Sequence, residues 1–202
     1  MLRDHNDGDL PSGPEPLPTI CVHSNPAFAG ETAAAMVVQI RPDRPRLIAT
    51  TIWTAFGSPC LSVFRPVYPW AVGLPPALAV GGPTMDTDSP WWVFERLQRL
   101  VARAPQSAGF VRGAFQKLEQ EFVADAEAAE ALAASVLQAD NETQARVVLR
   151  TLVDSTTERA LAMANALTAA ITRQPGYSPL SELAKHWDDI DAAVSLEALV
   201  TT

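Results

Sequence analysis

"TIWTAFGSPCLSVFRPVYPW", Thr51 to Trp70, is the stretch whose reading decides the fold. Two runs rich in β-branched and aromatic residues flank Gly57, Ser58 and Pro59, so the stretch reads as strand, turn and strand. Pro66 cannot donate to a ladder, which places it at the end of the second run or on a sheet edge. Upstream, the first run extends back as "LIATTIWT" from Leu47 to Thr54, with a further β-like run from Ala33 to Ile40. The link "RPDRPR" carries Pro42 and Asp43, a preset backbone angle and a local hydrogen-bonding side chain, which suits a tight turn. A short apolar segment, Thr19 to His23, comes first. The expectation is an antiparallel meander of four strands between about 19 and 68.

Beyond Trp70 the periodicity changes. "WAVGLPPALAVGGPTM", Trp70 to Met85, is apolar but broken by Pro and Gly, and reads as a packed loop. Ser89 and Pro90 then suit a helix start, with Val93, Leu97, Leu100 and Val101 on one face and Pro105 beyond the end. A second helix, about 107 to 138, carries Val111, Phe115, Leu118 and Phe122 at spacings of four and three. Asp140 and Asn141 break it. A third helix runs to about 173 with Ala145, Val148, Leu149, Leu152, Leu167 and Ile171 as its stripe, before Pro175 and Gly176. So short a break makes the two helices an antiparallel hairpin packed on the sheet. The fold class is α+β, divided into an N-terminal loop (1–18), a folded domain (19–176) and an acidic C-terminal tail (177–202).

Composition bounds the function. With 48% apolar residues the 202-residue chain can bury a core, while a formal charge of -8 opposes phosphate binding and so excludes a nucleic-acid partner. No signal-peptide core and no run approaching a membrane span is present, so the expected location is cytoplasmic, away from the membrane. Two cysteines define no disulfide framework, and the usual Cys and His spacing of a metal site is absent; no metal and no cofactor is expected.

Three places could hold chemistry. Cys21 and His23 fall on the same side of a strand, which permits a thiol and its base, although a buried Cys beside a hydrogen-bonded His is the commoner meaning and no third orienting group is identifiable. The turn at Gly57 and Ser58 could aim backbone N–H groups at an oxyanion, as some turns do. Cys60 follows it, with nothing basic beside it in sequence to lower its pKa. Finally, Trp91 and Trp92 at a helix start could border a ligand or simply pack on the sheet, with Glu95 and Arg99 forming an i, i+4 pair. Asp188, Asp189 and Asp191 read as a solvated end.

Taken together, "LRDH" (Leu2–His5), "ICVHS" (Ile20–Ser24), "TAAAMVVQI" (Thr32–Ile40), "WTAFGSPCLSVFRPVY" (Trp53–Tyr68) and "WWVFERLQRL" (Trp91–Leu100) resemble, in order and spacing, the C-terminal half of the secernin-like dipeptidases. The resemblance runs to about Arg173. It implies a cysteine-type N-terminal-nucleophile hydrolase, built as a four-layer αββα sandwich of which this chain forms a part. In that family the thiolate of an N-terminal Cys attacks the peptide carbonyl and its own α-amino group moves the proton.

This sequence begins Met-Leu-Arg, so the family nucleophile maps to no position and no catalytic residue is assigned. His23, Ser58 and Cys60 match recurrent family positions as substrate-pocket candidates, and Cys21 to His23 would be an interior strand. The expectation is a C-terminal fragment of a dipeptidase or amidohydrolase that takes a dipeptide or small amide once an N-terminal half completes it. Exposed sheet edges would favour self-association or a companion chain. Two alternatives stand beside it: a non-catalytic binding or oligomerisation protein derived from the fold, and a small thiol hydrolase using Cys21 and His23.

Overall fold

The computed structural model describes residues 2–5, 20–23, 30–82 and 85–173. Three strands form one antiparallel sheet in the order β1 (Ala34–Ile40), β2 (Thr50–Phe56) and β3 (Arg65–Val67). The register sets Val37 opposite Trp53, Val38 opposite Ile52 and Thr54 opposite Arg65. The turn at Pro42 and Asp43 closes with Arg44 N–H donating to the Arg41 carbonyl at 3.1 Å, as the Pro-Asp chemistry requires.

Three strand expectations are corrected. Leu47 and Ile48 lie in a buried 3₁₀ turn, Arg46–Ile48, and β2 instead continues to Phe56. Their apolar character reflects burial between the β-turn and the helical layer rather than a place in a ladder. Cys60 and Leu61 likewise belong to a 3₁₀ turn, Pro59–Leu61, which leaves β3 only three residues long. Pro66 sits within β3 and is tolerated there because β3 is an edge strand. Ile20 to His23 forms no strand; its backbone is tied by Cys21 N–H to the Asp4 carbonyl and by Thr32 N–H to the Val22 carbonyl.

Three helices follow: α1 (Pro90–Arg103), α2 (Ala108–Gln138) and α3 (Glu142–Thr172). Pro90 occupies the first turn of α1, but the Ser89 side chain makes no capping bond and only its carbonyl accepts, from Val93 N–H. Asp140 takes a positive φ of 54° between α2 and α3, and the Asn141 side chain accepts from Gln144 N–H to cap α3. The hairpin expected from the stripes is present: Val111, Phe115, Leu118 and Phe122 of α2 and Ala145, Leu149, Leu152, Leu167 and Ile171 of α3 are all buried, while Val148 is half-buried. Burying each large side chain of this kind contributes about 1.5–3 kcal/mol. The segment from Trp70 buries Ala71, Val72 and Pro75 but leaves Leu74 and Val80 exposed, so it is packed only in part.

The helices cover β2 and β3 on one face of the sheet and leave Val37 of β1 46% exposed there. Thr51 and Ala55 on that face are buried, and Trp53 between them touches both hydrophobic clusters. The opposite face behaves differently. Met36, Val38 and Ile40 point there by strand alternation and are 59%, 45% and 71% exposed. Among the described residues, β1 has no second neighbour and no other sheet is present. The expected second sheet of an αββα sandwich is therefore not among them. Among the described residues no helix is long and apolar enough to cross a membrane. The C-terminal tail, with Asp188, Asp189 and Asp191, lies outside the described residues.

Candidate functional site

Three segments without regular strand or helix geometry converge beneath the start of α1. The first is Leu2–His5, held down by Arg3, whose guanidinium donates to the Pro59 carbonyl at 2.7 Å, to the Ser62 carbonyl at 3.3 Å and to Glu119 of α2 at 2.6 Å. The second is 20–23. The third is the turn after β2, where Gly57 adopts a φ of +66°, a left-handed conformation that favours glycine.

At the centre is His23 Nε2. It lies 3.1 Å from Cys60 Sγ, 3.2 Å from His5 Nε2 and 3.5 Å from Cys21 Sγ. His5, Cys21 and Cys60 are buried, and Cys21 is 0% exposed. On the other edge of the ring, His23 Nδ1 stands 3.8 Å from Glu31 Oε1. Ser58 Oγ lies 3.3 Å from that same carboxylate oxygen and 3.3 Å from the Val22 carbonyl.

The electrostatics follow from burial and from the contact between the two sulfurs. A hydrogen bond from the Cys60 thiol, opposed by burial and aided by His23, draws the Cys21 thiol down to about 4. Cys60 is held far above the ordinary thiol value because it donates that bond and is itself buried. Burial, reinforced by the nearby negative charge of Glu95, pushes Glu31 up to about 8.

His23, Ser58 and Cys60, the three pocket candidates from the sequence, are brought together, with Cys21 among them. Neither the roughly 590 Å³ cavity at Ala71, Arg146 and Asp154 nor the roughly 450 Å³ one at Val37, Trp53 and Glu119 reaches them. The oxyanion role considered for the turn is not supported either. Gly57 N–H donates to the Ala33 carbonyl at 2.8 Å and Ser58 N–H to Gln98 Oε1 at 2.8 Å, so both donors are used internally.

Sequence reasoning missed three features here. His5 arrives from a stretch that reads as loop, and Glu31 supplies the third group beside His23 that sequence spacing does not reveal. His23 beside Cys60 is the basic neighbour that Cys60 lacks in sequence, because the two are 37 residues apart.

Around this site the remaining candidates pack. Trp91 and Trp92 meet edge to face at 4.7 Å and donate to the carbonyls of Ala33 and Gly82. The Glu95–Arg99 pair, 2.7 Å apart, is buried rather than on a solvated face, so removing either partner costs far more than a surface i, i+4 pair contributes. Arg65 is buried over the Phe56 ring at 4.5 Å, its pKa drawn down to about 10 by burial, with its Nη1 unbonded.

Residues 25–117 match the model of Peptidase family C69. The match covers a little under half of the chain and takes in Glu31, the sheet, Ser58, Cys60 and α1, while His5, Cys21 and His23 lie outside it. This part of the chain is similar to the C69 peptidases. No curated protein matches the chain, and no solved structure does.

Proposed function

We propose that this chain contributes the scaffold half of a secernin-like dipeptidase, a peptide-bond hydrolase whose attacking thiol is an N-terminal Cys on another polypeptide segment. The observation that carries the proposal is the one-sided sheet. Helices cover β2 and β3 on the Trp53 face, Val37 of β1 staying 46% exposed there, and the opposite face presents Met36, Val38, Ile40 and Ile52 beside a β1 edge that is unpaired among the described residues. An antiparallel sheet with one helical layer and an apolar opposite face supports reading it as half of an αββα sandwich, in which a second sheet would stack on that face about 10 Å away. The C69-peptidase-like match over the same strands favours this over other uses of an open sheet.

The two cysteines present are poor candidates for the attacking thiol. Cys21 is fully buried and hydrogen-bonded by Cys60, and a nucleophile must reach a substrate carbonyl. In the completed enzyme the incoming Cys would attack the carbonyl carbon of a dipeptide, and its α-amino group would take the thiol proton and return it to the leaving amine. Water then hydrolyses the thioester. This chain's part is to hold the sheet against which the nucleophile-bearing strand is registered.

A second reading, a non-catalytic self-associating protein, is favoured by the same edge if β1 pairs with β1 of another copy. The two are separated by intact mass and N-terminal sequencing of the protein from its source. A Cys-initiated segment with dipeptidase activity titrated by alkylation of that Cys is the expected result. A homogeneous self-associated chain starting at Met1 and inert toward dipeptides would overturn the proposal.

A further inference from the structure

Four side chains that bind soft and borderline metals meet at one point. The ligand atoms of His5, Cys21, His23 and Cys60 all lie within 4.8 Å of one another. Hydrogen bonding alone does not account for this. A ring nitrogen has a single in-plane direction for a bond, yet His23 Nε2 has two sulfurs and a second ring nitrogen around it at 3.1 to 3.5 Å. Ligands that share a central ion crowd in this way.

We propose that His5, Cys21, His23 and Cys60 form a structural zinc site. With Zn–S near 2.3 Å and Zn–N near 2.0–2.1 Å, a tetrahedron places S and N about 3.6 Å apart and two nitrogens about 3.3 Å apart. The separations here are 3.1 and 3.5 Å for the S and N pairs around His23 and 3.2 Å for the two nitrogens. The mixed thiolate and imidazole set selects Zn²⁺ over the oxygen-seeking Mg²⁺ and Ca²⁺. Four protein ligands in a buried setting leave no position for water, which makes the site structural.

Its physical role follows from where the ligands sit. Leu2–His5, Ile20–His23 and the turn at Cys60 have little regular backbone bonding, and one ion would tie all three beneath α1. Zinc also explains why two thiols are buried together beside imidazoles without being placed to attack anything. Both cysteines would bind as thiolates, and Glu31, 3.8 Å from His23 Nδ1, is the carboxylate near enough to take that ring's second N–H with a small closing movement. The site stands whether or not the chain takes part in peptide hydrolysis, since a metal count does not depend on dipeptidase activity.

The test is the metal content of the full chain, purified without chelator and kept reduced, followed by titration of the stripped protein with Co²⁺ and then Zn²⁺. The expected result is one Zn²⁺ per chain, and with Co²⁺ the thiolate charge-transfer and tetrahedral d–d absorption, both abolished by excess Zn²⁺. Stripping should lower the melting temperature and Zn²⁺ should restore it. Glu31→Gln should weaken Zn²⁺ binding about 10- to 100-fold while leaving the stoichiometry at one. Cys60→Ser and His5→Gln should lose the charge-transfer intensity or the tetrahedral signature. Should those variants fail to fold, the wild-type count and Co²⁺ spectrum decide alone. Sub-stoichiometric metal with no thiolate band in freshly reduced protein, or a Cys21–Cys60 disulfide as the resting state by mass, would overturn the site.

Discussion

Replacing Glu130 by Ala should destabilise the chain by about 2–4 kcal/mol, because this one carboxylate joins α2 to the sheet and to the loop after it. Arg41 donates to its two oxygens at 2.7 Å each, Tyr68 Oη at 2.8 Å and Thr51 Oγ1 at 3.0 Å. Tyr68 is fully buried, so its hydroxyl loses its acceptor with no access to water, at about 1–3 kcal/mol. Arg41 is partly exposed and keeps the Ile48 carbonyl and Thr51 as acceptors. Its share is therefore that of a screened pair, about 1 kcal/mol or less.

At roughly 2–4 °C per kcal/mol for a chain of this size, the melting temperature should fall by about 4–16 °C. Glu130→Gln retains an acceptor for Tyr68 and should cost less than the Ala variant. Urea unfolding followed by circular dichroism measures both. The pH dependence has a definite sign. Burial raises the Glu130 pKa, but the bonds from Arg41, Tyr68 and Thr51 outweigh it, and the group lies below its ordinary value of 4.5. The stability that charge contributes is complete above that value and is lost as pH falls through the folded one. The gap between wild type and Glu130→Gln should accordingly close in acid. An Ala variant within about 0.5 kcal/mol of wild type, the range of an ordinary surface change, would refute the reasoning.

Gly57→Ala should cost about 2–4 kcal/mol by urea unfolding, because its φ is +66° and a Cβ would sit 2.4 Å from the Gln98 amide that bonds Ser58 N–H and the Phe56 carbonyl. Arg65→Met should leave stability unchanged or raise it by about 1 kcal/mol, since a buried guanidinium with a ring face as its main partner is replaced by an apolar side chain; a loss above about 2 kcal/mol would contradict that. Val38→Lys, on the bare sheet face, should change the stability of the isolated chain by no more than about 0.5 kcal/mol while abolishing association through that face, as read by light scattering.

The long helices were legible because their burial follows the 3.6-residue period: Phe115 and Leu149 are in the core where the stripes place them. The strand from Ala33 and the Pro42-Asp43 turn were legible for similar local reasons. Leu47, Ile48, Cys60 and Leu61 were assigned to strands because a short apolar run signals burial without signalling conformation. The site was hidden for a different reason. Its four ligands come from positions 5, 21, 23 and 60, a spacing shared with no local metal motif, and contacts such as Cys21 N–H to the Asp4 carbonyl bring them together. Likewise, the turn at Ser58 offered free N–H groups on paper until Gln98, forty residues on, occupied one of them.

The proposed function rests on peptide hydrolysis using a thiol other than those of Cys21 and Cys60, both of which are buried. The measurement that tests it most directly is dipeptide hydrolysis by the purified chain alone, by its Cys21→Ala variant, and by the chain assembled with a Cys-initiated companion. No hydrolysis by either isolated chain, with activity in the assembly that alkylation of the companion's first residue removes and Cys21→Ala does not, is the predicted result. Turnover by the chain alone that vanishes in Cys21→Ala would contradict the claim and make the buried thiol the catalyst.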